Sequence, residues 1–556
     1  MKSIIYILKH LRCHKLAIGL LLLIGLVWPC RGHSSVSVEN KVPNIIFIMT
    51  DDQSPFPVLA KTCDQSRPFG FNGDPNVHTP VIDSLAKNGL VFTRAYVSSS
   101  VCSPSRYSIL TGRYAGRSEG RRFINLFPYG EPTRIENNTE LEESRENLPR
   151  ILQKGGYRTG FVGKCHVVDH QLLSAKQWEK HGLMTYEFGD DPKDLEVSNA
   201  MVHNHNFWAK RIMEFGFDYA NAIYAANLKE LQNDSLNVHN IEWKVNAALE
   251  FIEEADDAPF FLYYSETIPH GPAPWEKPGG KYKYGMDANP GFTGEGFVED
   301  DFAFMPQRED IQAEVEACGK DPDHAWLRWF DHAVGAIVHK LREKGKLENT
   351  LIVITSDHGN YDFGKSTIYE GGVKVPLMMF WPEAIKPGSV YNELVQNIDY
   401  APTFLDLAGI EAGSFAAMDG ASLKEVLKGS QMPIHDYLYY ELGFARGVAT
   451  KDWKYIAVRY DEKTQDEVDA GRVYKGWNGH EHKLPYYIRN SHLGYHAALF
   501  NPNYFEQDQL YDMKKDPQET INLVASKTQK VKEMKDLLAK CLESFPDRPY
   551  GEFVKN

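Results

Sequence analysis

Asn44-Ile45-Ile46-Phe47-Ile48-Met49, running into Thr50-Asp51-Asp52, governs the reading of this 556-residue chain. A nearly unbroken apolar run of strand length marks a strand buried on both faces, as in a parallel sheet. It ends in two adjacent carboxylates, at the strand edge where open α/β sheets hold their ligands. The pattern returns in Thr350-Leu351-Ile352-Val353-Ile354-Thr355, which leads into Ser356-Asp357-His358-Gly359. Two such strands in one sheet place Asp51, Asp52, Asp357 and His358 at a common edge. Oxygen-rich ligation of this kind suits one hard divalent cation, Ca2+ first; the His358 nitrogen keeps Mg2+ and Mn2+ as alternatives. Helix capping by Asp explains a single strand tip of this sort and is a weaker account of two.

Further runs extend the sheet. Residues 157–162 lead to Gly163-Lys164-Cys165-His166, residues 259–264 lead to Thr267-Ile268-Pro269-His270, and residues 375–381 are again apolar. Helical patterns lie between them, notably at 241–255 and 331–344. This alternation predicts an α/β fold with a large, mostly parallel central sheet flanked by helices. Gly429 and Pro433 punctuate a boundary, so a catalytic domain is expected over 43–428 and a smaller C-terminal α+β domain over 435–556. In the latter, residues 437–440 and 453–458 read as antiparallel strands and 531–542 as an amphipathic helix. The stretch 474–505, rich in Tyr, His, Asn and Gly, is expected to form a substrate-side loop.

Residues 102–113 read Cys-Ser-Pro-Ser-Arg-Tyr-Ser-Ile-Leu-Thr-Gly-Arg. Pro104 lacks an N–H and is tolerated in a first helical turn, and Gly112 suits the end of the same helix. The open N–H groups and positive dipole end then face whatever Cys102 faces, an arrangement suited to an anion such as sulfate. Arg106 adds a fixed positive charge one turn along.

Residues 1–32 are of a different character. Lys2, Lys9, Arg12 and Lys15 precede an apolar run from Leu16 to Trp28, and cleavage before His33 fits a secretory signal peptide. Without that segment the protein retains no stable membrane span and is expected to be secreted or periplasmic. Losing its five positive charges takes the net charge from −14 to −19. Such acidity disfavours nucleic acid and other polyanions, so a sulfated substrate needs a local basic site. Arg113, Arg117, Arg121 and Arg122 are candidates for it. Five cysteines remain after processing, an odd number that flags a thiol with a separate fate, and their spacing gives neither a disulfide scaffold nor a zinc pattern.

With Cys102-x-Pro104-x-Arg106 followed by Thr111-Gly112-Arg113, the chain resembles the type I, formylglycine-dependent sulfatases of the alkaline-phosphatase-like superfamily. The resemblance runs from about Pro43 to the C-terminus. It implies that Cys102 is oxidised by a formylglycine-generating enzyme and that the hydrated aldehyde is the nucleophile. One of its hydroxyls attacks sulfur, and the other later expels sulfate and restores the aldehyde. The family pattern makes Asp51, Asp52, Asp357 and His358 metal ligands, with modified Cys102 completing the shell; many members carry Asn where His358 stands. Lys164 and His166 match its Gly-Lys-x-His motif, with Cys165 in place of the usual Trp. Lys365 matches the second sulfate-binding lysine, and His270 the histidine that protonates the leaving alcohol. Asp357 is the expected base, and Arg106 helps to stabilise charge built up on sulfate oxygens. Asn397 to Thr403, Met418-Asp419-Gly420, Leu510 to Met513 and Asp516-Pro517 resemble later landmarks. His239 and His324, which follow no strand-end motif, are expected to be structural.

The function implied is an exported sulfatase acting on O-sulfate groups of a sulfated polysaccharide or oligosaccharide. The alternatives are a phosphomonoester or phosphodiester hydrolase of the same superfamily, against which Cys-x-Pro-x-Arg counts, and an N-sulfoglucosamine sulfohydrolase.

Overall fold

The computed structural model describes residues 42–55, 77–274, 285–411, 413, 417–471, 473–475, 481–483, 497–498, 500–545 and 547–553. The segment read as a signal peptide lies outside them, as do most of residues 474–496.

The central sheet contains β1 (Asn44–Asp51), β2 (Leu90–Phe92), β3 (Arg158–Lys164), β4 (Tyr219–Tyr224), β5 (Phe260–Pro269), β6 (Thr350–Ser356), β7 (Leu377–Phe380) and β8 (Ser389–Tyr391). Their spatial order is β8-β2-β7-β6-β1-β5-β3-β4. β6, β1, β5, β3 and β4 are mutually parallel, whereas β7 runs antiparallel to both of its neighbours. β1 and β6, the two strands with the clearest apolar runs, are direct neighbours, with Thr50 opposite Ser356. Their acidic tips therefore emerge side by side.

The burial of β1 explains why its sequence does not alternate. Ile45, Phe47 and Met49 enter the core on one face of the sheet, Ile46 and Ile48 the core on the other. Each fully buried aliphatic or aromatic side chain contributes roughly 1.5–3 kcal/mol. On the first face lie α2 (Cys102–Thr111), α3 (Leu148–Lys154) and α7 (Tyr400–Leu407), through residues such as Ile109, Leu152 and Phe404. The second face is covered by α1 (Pro80–Lys87), α5 (Ile241–Glu253) and α6 (Ala325–Glu343), through Ile82, Phe251 and Val334. α4 (Leu195–Met213) packs against β4. α6 begins six residues before the pattern at 331–344, because Trp326, Leu327 and Trp329 also turn inward.

Beyond the central sheet, β9 (Leu438–Leu442), β10 (Ala445–Ala449), β11 (Trp453–Val458) and β12 (Asp508–Asp512) form an antiparallel sheet in that order. α8 (Thr528–Glu543) lays Met534, Leu538, Cys541 and Leu542 against Tyr439, Val448, Tyr455 and Leu510. β9 is tied to the front of the central core: Ser99 Oγ donates to the Glu441 carbonyl at 2.7 Å and the Gln396 amide to that of Tyr439 at 2.8 Å.

Candidate active site at the strand tips

Four strand ends and one helix start converge on Cys102. This residue opens α2, and both ends of that helix are held from outside it. At the start, Asn137 Oδ1 accepts the Ser103 N–H at 3.1 Å, while the Asn397 amide donates to Ser105 Oγ at 3.0 Å. At the far end Gly112 adopts φ 64°, and its carbonyl accepts the Asp419 N–H at 2.8 Å. The landmarks at Asn397 and at Met418-Asp419-Gly420 thus clamp the helix that carries the cysteine.

The Cys102 sulfur lies 3.7 Å from Asp51 Oδ1, 3.6 Å from His358 Nε2, 3.6 Å from Lys164 Nζ and 3.9 Å from Lys365 Nζ. Lys164 leaves the end of β3 and pairs with Asp51 Oδ2; it also donates to Asn227 Oδ1 at 2.8 Å. Lys365 grips both oxygens of Asp52, at 2.7 and 2.9 Å. Arg106 uses its fork on Asp357 Oδ2, at 3.1 and 2.9 Å, and its third nitrogen on Ser265 Oγ at 2.6 Å and the Lys164 carbonyl at 3.0 Å. The Asp52 N–H donates to Asp357 Oδ1 at 3.0 Å, locking one tip to the other. Asp51, Asp52, Cys102, Arg106, Lys164, His270, Asp357, His358 and Lys365 therefore meet at one point. His270 is included, since a ring nitrogen lies within 4.8 Å of an Asp52 oxygen and of the Cys102 sulfur.

His166 follows β3 by two residues, with φ 56°, its ring 5.4 Å from that of His170. Its Nδ1 is buried without a hydrogen-bond partner among the described residues. Asn227 and Ser265 carry no motif and were not anticipated. Ser265 is the first polar residue after the apolar run of β5, which was its one visible signal. Asn227 follows β4, a strand too mixed in composition to be read from sequence.

Three carboxylates and three cations balance within this buried cluster. Burial works to raise Asp51, but Lys164, His270, Arg106 and Lys365 outweigh it and hold the carboxyl well below the usual range. Asp357 moves the opposite way, raised by burial and by the charge of Asp51. Burial pushes the Cys102 thiol up to about 12 despite both lysines, so the unmodified side chain keeps its proton at neutral pH and is no thiolate nucleophile. His270 falls to about 4, through burial and the neighbouring Lys365 cation.

The residues present fit a single hard cation. Donor atoms of Asp51, Cys102, Asp357 and His358 all lie within 4.8 Å of one another, and Asp52 shares Cys102 with His270 in a second such group. Three carboxylates among these donors match oxygen-preferring ions.

Three of the four arginines after α2 are engaged by protein groups, while Arg121 is exposed. Arg113 is buried, 3.8 Å from Glu142 and bonded to the Glu146 carbonyl. Arg117 binds Asp419 at 2.8 Å and stacks on Phe545 at 4.1 Å, and Arg122 pairs with Glu140 at 3.5 Å. Arg117 is held there because its segment lies between the end of α2 and Ser544-Phe545 after α8.

Comparison with known proteins agrees with this geometry. The sulfatase family model matches residues 43–410, and a model described as N-sulphoglucosamine sulphohydrolase, C-terminal, matches 356–472. The chain is 25% identical to an N-acetylglucosamine-6-O-sulfatase of Bacteroides thetaiotaomicron, over 92% of this chain and 88% of that one. It is also 25% identical to an ulvan-active sulfatase of Formosa agariphila, over 90% and 80% of the two chains. Among solved structures, a complex with the substrate D-glucosamine-2-N,6-O-disulfate shares the fold with a TM-score of 0.53 at 20% identity, covering 92% of this chain and 100% of that one. A sulfatase from Pseudoalteromonas sp. does so with a TM-score of 0.53 at 18% identity, covering 92% of each. A cysteine-led helix set among paired acidic strand tips, on a chain matched by the family model over most of its length, makes this protein a member of the type I sulfatase family in the alkaline-phosphatase-like superfamily, and hence a sulfuric ester hydrolase.

Proposed function

We propose that this sulfatase is exported and removes O-sulfate groups from a sulfated polysaccharide or oligosaccharide, with a formylglycine made from Cys102 and one bound divalent cation, Ca2+ first. The observation that carries the reading is the position of the Cys102 sulfur, within 4 Å of two lysines, a carboxylate and a histidine. Carbohydrate is supported by the names of the relatives that act on N-acetylglucosamine 6-sulfate groups and on ulvan. Export is supported by the character of residues 1–32, and no helix among the described residues is long and apolar enough to cross a membrane.

When present, the cation and the aldehyde hydrate supply Lewis-acid charge and a hydroxyl nucleophile, held by Asp51, Asp52, Asp357, His358 and residue 102. The chain's own groups do the rest. Lys164 and Lys365 point their ammonium groups at the same spot and stabilise negative charge on the sulfate oxygens without reorganising. Arg106 fixes Asp357 by placing two nitrogens on Oδ2, while Oδ1 accepts the Asp52 N–H, so the carboxylate is held in one orientation beside Cys102. Asp357, already raised, accepts the proton of the attacking hydroxyl. His270 donates a proton to the departing sugar oxygen. The sulfate's negative charge offsets Lys365, which is one of the two main causes of that histidine's lowered pKa. His166 or Lys164 assists sulfate release.

The C-terminal match to N-sulphoglucosamine sulphohydrolase favours a second reading, cleavage of an N-sulfate. A panel of defined oligosaccharides with single O- or N-sulfates, assayed beside aryl sulfate and aryl phosphate, separates these possibilities. The expected result is release of O-linked sulfate, lost in Cys102→Ala, with mass spectrometry of the Cys102 peptide showing conversion of thiol to aldehyde. An unconverted thiol in active native enzyme, or phosphate hydrolysis surviving Cys102→Ser with no sulfate release, overturns the proposal.

A further inference from the structure

His239 precedes Asn240, the N-cap of α5, and is wholly buried. Its two ring nitrogens reach the two ends of a single short segment. Nδ1 lies 2.9 Å from Thr267 Oγ1, and Nε2 lies 2.7 Å from the Pro272 carbonyl oxygen. Between those two residues, at the end of β5, stands His270.

The direction of these bonds follows from chemistry. A carbonyl only accepts, so Nε2 carries the proton and donates to Pro272. Nδ1 is then an acceptor, and the Thr267 hydroxyl donates to it. Thr267 Oγ1 in turn accepts from Lys244 Nζ at 3.0 Å. Lys244 is anchored by Glu266, which also takes the Tyr264 hydroxyl at 2.5 Å. A buried, directed chain thus runs from Lys244 through Thr267 and His239 to Pro272. All its members are oriented, and it closes the turn on both sides of His270. His270 itself donates Nδ1–H to the Gly271 carbonyl at 2.8 Å, which leaves Nε2 for a substrate.

We infer that His239 is a positioning residue whose ring braces both ends of the 267–272 turn and so aims His270 at the leaving-group oxygen. The inference rests on the reading of His270 as the proton donor. Burial of an imidazole with both nitrogens bonded is otherwise an ordinary way to fill a core. The distinction here is that both bonds land on the one segment that presents His270.

A structural role and a positioning role differ in their dependence on the leaving group. A phenol of low pKa departs with little help, whereas a more basic one needs its proton. The test is kcat/KM for 4-nitrophenyl sulfate over that for 4-methylphenyl sulfate. In His239→Ala this ratio is expected to rise at least about 10-fold, since misplacing an acid forfeits part of a contribution on the order of 10²–10⁴. His239→Gln keeps a donor for Pro272 and is expected to restore most of the wild-type ratio. His270→Ala is the reference and should raise the ratio at least as far. Equal losses on both substrates in His239→Ala, with the ratio unchanged, overturn the inference. If His270→Ala itself leaves the ratio unchanged, the proton-donor assignment fails, and the inference with it. Should His239→Ala not fold, Thr267→Val removes the donor to Nδ1 from the other side and is expected to move the ratio the same way; an unchanged ratio there likewise overturns the inference.

Discussion

At the scale of single residues, Arg106 shows how sequence and packing divide the work. Its place one turn after Cys102 is plain from the sequence. What it binds is not: one nitrogen pair takes Asp357, just beyond β6, and the third nitrogen takes Ser265 from β5, residues 251 and 159 positions away. Arg106 is fully buried, so removing it strands a carboxylate in a dry site. Arg106→Met, measured in the presence of a chelator so that no cation replaces the guanidinium, is expected to lower unfolding stability by about 3 kcal/mol. Chemical denaturation checks this; a loss under 1 kcal/mol contradicts the role given to the fork. The charged strand-tip residues were legible because acids and lysines at the ends of apolar runs have few other reasons to be there. Asn227 and Ser265 were not, because an amide or hydroxyl acquires a role only from the neighbour that register supplies.

At the scale of elements, the strands that read most clearly are those buried on both faces. β1 and β6 needed no tertiary information. β2 is three residues long, β4 reads Tyr-Ala-Asn-Ala-Ile-Tyr and β10 carries an arginine and a glycine, so their pairing is decided by neighbours rather than by their own pattern. Gly163 illustrates the coupling of element to site. It has φ 97°, and a Cβ there would sit 1.9 Å from the Ser265 carbonyl oxygen on the adjacent strand. The pairing of β3 with β4 shifts register at this point, just before Lys164. Gly163→Ala is expected to destabilise the fold by about 3 kcal/mol, from the left-handed backbone and the forced separation of β3 from β5. It should also reduce kcat, since Lys164 and Ser265 move with the strands. Denaturation and steady-state kinetics on one preparation test both, and wild-type values for either would show that the close approach is relaxed in solution.

At the scale of the whole molecule, distant segments are stitched together by buried polar pairs. His435, in the segment leading to the small sheet, contacts both oxygens of Asp399 at 2.8 and 2.9 Å, ahead of α7. Burial opposes the charge on His435, and Asp399 overrides it, so the folded pKa lies above the ordinary value of 6.5. Above that value the folded state binds more protons than the unfolded one, so stability falls as pH rises. This contribution is complete below about 6.5 and lost as pH passes through the folded pKa. The difference in Tm between wild type and His435→Phe is therefore expected to shrink on going from mildly acid to alkaline buffer. A difference that stays constant or widens would show that His435 is neutral in the folded protein.

The sequence alone determined the nature of the sheet, the acidic tips of β1 and β6 and the cysteine at a helix start. These are local matters, set by burial period and turn chemistry. Tertiary structure alone decided that Arg113, Arg117 and Arg122 bind protein groups, that Asn227 and Ser265 line the site, and that His239 braces the turn bearing His270. Those outcomes depend on which strand lies next to which and on where each residue falls along it, and residues hundreds of positions apart leave no periodic trace of that in the chain.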